Sequence, residues 1–247
     1  MDIIFCMQMI LIHSIADAIN NLLIKEVSTF VNKKNESVER VIGLFGKIDN
    51  EWVIIFAFYA TEYSNGKVHL ELVDSLQYYT AINRTLLYHV VLVAYSYTCA
   101  CRGLTEIYFQ SCPPGDHSYI FHNKPGSQKQ LSKDRLLSWY HAFMKKGFEM
   151  GVFSGGSDFV GCGLDEIPDF LVDPEYRNDS LDKSSYFRIY LAKQPVIQET
   201  KLQNFDTIFY CPEDFKSTCI RNNLSFSTLD GAKRATRWIL DNLAYRG

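Results

Sequence analysis

No Cys-x-x-Cys pair occurs anywhere in this 247-residue chain, although it holds seven cysteines. An odd number of unpaired thiols argues against a secreted disulfide framework, and Cys99 and Cys101 lie too close along one helix to form a zinc knuckle. Basic stripes are missing too. The net charge is -3, which excludes nucleic acid as a direct partner and suits a basic one. There is no apolar run long enough for a membrane span. The opening stretch from Ile3 to Ile12 falls short of the roughly 20 residues a spanning helix needs, and Asp2 stands where a signal peptide carries a cation. Internal repeats and low-complexity tracts are absent. Gly156-Ser157-Asp158-Phe159 lacks the last glycine of a nucleophile elbow, Gly161-Cys162-Gly163 lacks the rest of a dinucleotide fingerprint, and the histidines show no zincin spacing.

What is present is a core. Hydrophobic residues make up 47% of the chain and aromatics 14%, enough for a globular body of one large domain or two small ones. Residues 13–27 read as an amphipathic helix with Ile15, Ala18, Leu22 and Leu23 on one face, followed by the polar connector 33–37. Three strand-like runs follow at 40–46, 51–62 and 67–73, joined by the turns Ile48-Asp49-Asn50 and Ser64-Asn65-Gly66. A long helix from Arg84 to Cys101 is capped by Asn83 and ended by Gly103. Residues 104–111 form a buried strand, which must stop at Cys112-Pro113-Pro114. Ser132 caps a helix from Lys133 to Lys146, and 151–163 is a glycine-rich linker. Late strands are expected at 186–192 and 205–210, and late helices begin at Pro212 and after Thr228. The pattern is α/β: a mixed, largely antiparallel sheet flanked by helices. It divides into an N-terminal helix and connector, 1–39, and a main domain, 40–247.

Two helix beginnings suit anions. Arg84 and Thr85 open the long helix, shortly after Asp74 and Ser75 close a strand, and Arg135 opens the second. Trp139 lies four residues after Arg135 and shares its face, with Tyr140 beside it. Each feature also has a plain structural reading. Asn83 can cap its helix beside a solvated Arg84, and Trp139 and Tyr140 can be core residues. Likewise His89 reads as a satisfied core histidine, and Lys124, Lys129 and Lys133 as a solvated loop face.

The order of these motifs resembles the histone acetyltransferases of the CREB-binding-protein family. The resemblance rests on Leu72-Val73-Asp74-Ser75, Arg84-Thr85 with Tyr88-His89, Cys112-Pro113-Pro114, Tyr119-Ile120-Phe121-His122, and Arg135 through Trp139-Tyr140. Looser matches are Ile48-Asp49 with Glu62-Tyr63, Glu166-Ile167-Pro168, and Leu224-Ser225-Phe226-Ser227-Thr228-Leu229. It implies an acetyltransferase-like core that moves acetyl from acetyl-coenzyme A to lysines of histones or other lysine-rich tails in the nucleus. In that scheme Arg84, Thr85 and Arg135 hold phosphates and Asp74 and Ser75 the pantetheine end. Trp139 walls the lysine tunnel, and Tyr140 protonates the departing thiolate. This chain departs from the family at Gln110, where an aromatic residue is usual. It departs again at Asp169-Phe170-Leu171, where the substrate-facing carboxylate is displaced, and it lacks the family's long basic loop. A relative that binds coenzyme A or a chromatin partner without turnover is therefore the alternative reading.

Overall fold

The computed structural model describes residues 20–111, 120–172, 177–178, 180–196 and 212–244. Seven strands form one mixed sheet: β1 (Leu22–Asn32), β2 (Ser37–Ile48), β3 (Glu51–Tyr63), β4 (Lys67–Ser75), β5 (Glu106–Gln110), β6 (Phe153–Asp158) and β7 (Tyr186–Leu191). Their spatial order is β1-β2-β3-β4-β5-β7-β6, with β4 and β5 parallel and every other pair antiparallel. Among the described residues four α-helices accompany them: α1 (Arg84–Cys101), α2 (Lys133–Glu149), α3 (Pro212–Arg221) and α4 (Leu229–Ala244). This is the mixed, largely antiparallel α/β architecture expected from the residue pattern. No described helix is long and apolar enough to cross a membrane.

The β2–β3 turn has Asp49 and Asn50 both at positive φ, 50° and 64°, the geometry that fits the twist of a two-residue hairpin. Asn83 caps α1 by accepting from the Leu86 amide, and Gly103, at φ 86°, ends it. Because α1 connects two parallel strands it runs across the sheet, and from Leu87 onward nearly every residue is buried. Tyr88 stacks on Phe56 and Tyr95 sets its edge on Phe58, fixing helix to sheet. α4 reaches the same sheet through Thr236, whose hydroxyl accepts from the Ile54 amide.

Three expectations need correction. Residues 22–27 are strand, not helix: Leu22, Ile24 and Val27 are buried in β1, which pairs along β2. The β-branched run that follows outweighs the helical spacing of Ile15, Ala18 and Leu22. The 39/40 division thus falls inside β2. The glycine-rich stretch 151–163 contains β6, because small residues are what the packing requires there. A Cβ at Gly147 would collide with the Phe153 ring, and one at Gly155 would press on the Tyr190 ring. Ser132 precedes α2 without any side-chain cap bond. The strand expected at 205–210, the first part of the helix expected at 13–27 and the motif 112–119 lie outside the described residues.

Candidate active site

β4 pairs with β5 only from Lys67 to Leu70, opposite Glu106 to Phe109, yet it runs on to Ser75 against β3. Past Leu70 the two parallel strands part, and ligands favour such openings at strand carboxyl ends. A cleft of about 340 Å³ sits there. Its walls include Asp74 and Ser75 from β4, Arg84, Thr85 and Tyr88 from α1, and Trp139 and Tyr140 from α2. The loop from Lys124 to Leu131 closes it.

Asp74 is buried and its carboxylate takes four donors. Oδ1 accepts from the Ser75 amide at 2.8 Å and from Lys124 Nζ at 2.7 Å; Oδ2 accepts from the Ile120 and Phe121 amides, each at 3.1 Å. Burial pushes this carboxyl up, and Lys124 with the amides opposes that rise. Asp74 thereby clips the loop to the end of β4, and Lys124 is an ion-pair partner rather than part of a solvated face. Gln128 adds a second clip, its Nε2 donating to the Ser75 carbonyl at 2.7 Å. Its Oε1 is buried and has no partner among the described residues, which leaves it open to an N–H or O–H donor. Gln77 donates to Ser127 Oγ at 2.7 Å.

Arg84 and Thr85 are exposed in the first turn of α1, which contains no acidic residue. Lys129 is exposed on the facing loop and also lines the cleft. Neither Arg84 nor Lys129 makes a hydrogen bond or ion pair among the described residues. Arg135 is exposed in the first turn of α2 and stands outside the lining. The cleft thus joins six of the seven site residues singled out by sequence, Asp74, Ser75, Arg84, Thr85, Trp139 and Tyr140, and leaves out Arg135. Lys124, Gln128 and Lys129 complete it. Gln128 carried no signal in the sequence, since only the fold brings it to Ser75.

Tyr140 is 6% exposed, stacked on Phe109 at 4.6 Å between ring centres, with Trp139 edge-on at 5.0 Å. Burial pushes its phenol well above 10, and its hydroxyl has no hydrogen-bond partner among the described residues. Behind Trp139 lies His89, 4.5 Å between ring centres. Burial lowers His89 to about 4, and its Nε2 has no partner among the described residues, so it is a core histidine only half satisfied there. Gln110 does not line the cleft; its Nε2 donates to Tyr186 Oη at 2.8 Å. Tyr186 belongs to a second apolar cluster with Tyr108, Phe159 and Ile167, on the side of β5 away from Tyr140.

An anionic ligand containing amide groups fits this donor set: two unpaired cations, a helix beginning free of carboxylates, and a fixed orphan acceptor. The family model for the KAT3 histone acetyltransferase domain matches residues 32–159, just over half of the chain. Histone acetyltransferase HAC1 of Arabidopsis thaliana is 32% identical over 129 residues, covering 46% of this chain and 8% of its own length. Histone acetyltransferase HAC2 of the same plant is 28% identical over 168 residues, covering 60% and 12%. Protein cbp-1 of Caenorhabditis elegans is 29% identical over 121 residues, covering 45% and 6%. The chain spans no more than 12% of the length of any of these three relatives.

Proposed function

Since this chain belongs to the KAT3 histone acetyltransferase domain family, we propose that it transfers acetyl from acetyl-coenzyme A to lysines of histones or other lysine-rich tails, and that it works in the nucleus. One observation carries the reading: the free phenol of Tyr140 shares a single cleft with Arg84, Thr85 and Lys129. Acetyl-coenzyme A, when bound, supplies an acyl group activated as a thioester.

Arg84, Thr85, Lys129 and the first-turn amides of α1 hold phosphate charge, with Arg135 adding to it from outside the cleft wall. Asp74 acts on the pantetheine end indirectly, by holding Ser75 and the loop in place, and Gln128 Oε1 accepts an amide N–H there. Tyr140 is the proton donor to the leaving sulfur. A phenol kept neutral by burial is protonated at pH 7, and a thiol of pKa about 8.5 leaves more easily with a proton delivered to it. Trp139 walls the entry of the lysine.

Asp74 is the only carboxylate among the lining residues, and its lone pairs are already engaged. Among the described residues the cleft therefore offers no free carboxylate base. Removing the proton from a lysine of pKa about 10.4 at pH 7 costs roughly 4 to 5 kcal/mol. Apolar walls at Phe56, Val73, Leu136 and Trp139 disfavour the ammonium and reduce that cost. The test is incubation of the purified chain with labelled acetyl-coenzyme A and histones. Transfer of label, lost in Tyr140→Phe, is the expected result. Binding of coenzyme A without transfer would replace the enzyme by a binding protein.

A further inference from the structure

α2 has a second flank. A helix turns about 100° per residue, so Trp139 and His141 face nearly opposite ways. His141, Met144, Lys145, Phe148 and Glu149 line a groove separate from the cleft, completed by Phe187 and by residues 156–158 of β6. β6 is terminal in the sheet, and no strand pairs with its outer edge among the described residues. Phe153–Asp158 carries neither Lys nor Pro, the residues that usually protect an edge. Pairing with β7 is irregular at Ser154 and regular from Gly155 to Asp158.

Exposed apolar residues gather around this edge: Phe148 on α2, Val160 just past β6, and Val196, whose segment Gln194 ties to the Gly151 carbonyl. Carboxylates outnumber cations in the groove, where Glu149 and Asp158 face Lys145. From Gly147 to Val172 the chain has five carboxylates and no Lys or Arg. Glu149 is paired with Lys146 and Asp169 with Arg177, while Asp158 and Asp165 make no ion pair among the described residues. Lys145, on the helical wall, is the exception in the groove.

We infer that the outer edge of β6 docks an extended, lysine-rich segment of another protein. Main-chain groups of the segment pair with β6, one apolar side chain enters between Met144, Phe148 and Phe187, and a lysine meets Asp158. A second copy of the chain suits the edge less well, because two acidic stretches of the same kind would be brought together. This docking needs no acetyl transfer, so it stands or falls separately from the proposed activity.

The experiment titrates the full chain, without any acyl donor, into a fluorescent peptide alternating lysine and valine. Asp158→Lys is expected to weaken binding about tenfold and Lys145→Glu to strengthen it severalfold, both effects fading at high salt. Tightening in Lys145→Glu cannot come from misfolding. A peptide N-methylated at alternate residues is expected to lose binding, and amide exchange in residues 154–158 to slow when the parent peptide is bound. Equal binding by the N-methylated peptide, or unchanged affinity in both charge variants, overturns the docking strand. So does self-association through β6 without peptide.

Discussion

The chemistry proposed for Tyr140 rests on Phe109 and Trp139, which pack against its ring, while its hydroxyl has no hydrogen-bond partner among the described residues. Replacement by Phe keeps that packing, so Tyr140→Phe is expected to lower turnover at least about tenfold while coenzyme A affinity stays near its parent value. Steady-state kinetics beside titration calorimetry check both parts. Because burial raises this phenol, it stays protonated beyond the ordinary range, and the alkaline limb of the rate profile should belong to another group. Among the cations, Arg84→Ala should weaken coenzyme A binding more than Arg135→Ala, since only Arg84 lines the cleft. Equal losses by calorimetry would contradict that ranking. Arg84, Trp139 and Tyr140 were legible in sequence because each lies at a fixed offset within one helix. Lys124 and Gln128 were not, because their partners Asp74 and Ser75 are some fifty residues away in the chain.

At the scale of elements, the loop over the cleft depends on Asp74, the one side chain that ties Ile120, Phe121 and Lys124 to β4. Asp74→Ala leaves a largely buried ammonium and two amides without their acceptor. The expected cost is about 3 kcal/mol or more in denaturant unfolding, with a loss of coenzyme A binding beside it. A stable variant with normal binding would show that the loop is held by other means. α1 and the β2–β3 hairpin were readable because caps and turns are local: Asn83, Gly103, Asp49 and Asn50 act within a few residues. β1 and β6 were not. Leu22 carries both helical and strand spacing, and Gly155-Gly156 signals a linker until Tyr190 and Ile189 of β7 come to lie against the glycines. In each case a distant strand decides the conformation.

Over the whole molecule, buried charge sets the response to acid. Burial alone would raise the Glu62 carboxyl, but Arg102 at 2.5 Å and Arg40 at 3.0 Å bring it down to about 2. A carboxyl lowered on folding stabilises above its unfolded value, and that contribution is lost as pH falls from about 4.5 to about 2. His69 and His89 are lowered by burial to about 4, so the unfolded chain takes up their protons first. Stability should therefore fall as pH drops from about 6.5 to about 4, and the Glu62 loss then continues the decline. His89→Phe should flatten part of the upper slope in unfolding curves recorded across that range; an unaltered slope would mean that this histidine is not neutral in the interior. The sheet and cleft are also tied to residues far along the sequence. Phe226 donates its amide to the His122 carbonyl and accepts from Tyr78, while Thr236 bonds Ile54 across 182 residues. During synthesis, then, the ribosome must have passed residue 236 before all of these bonds can form, so the cleft sets only after that helix has emerged.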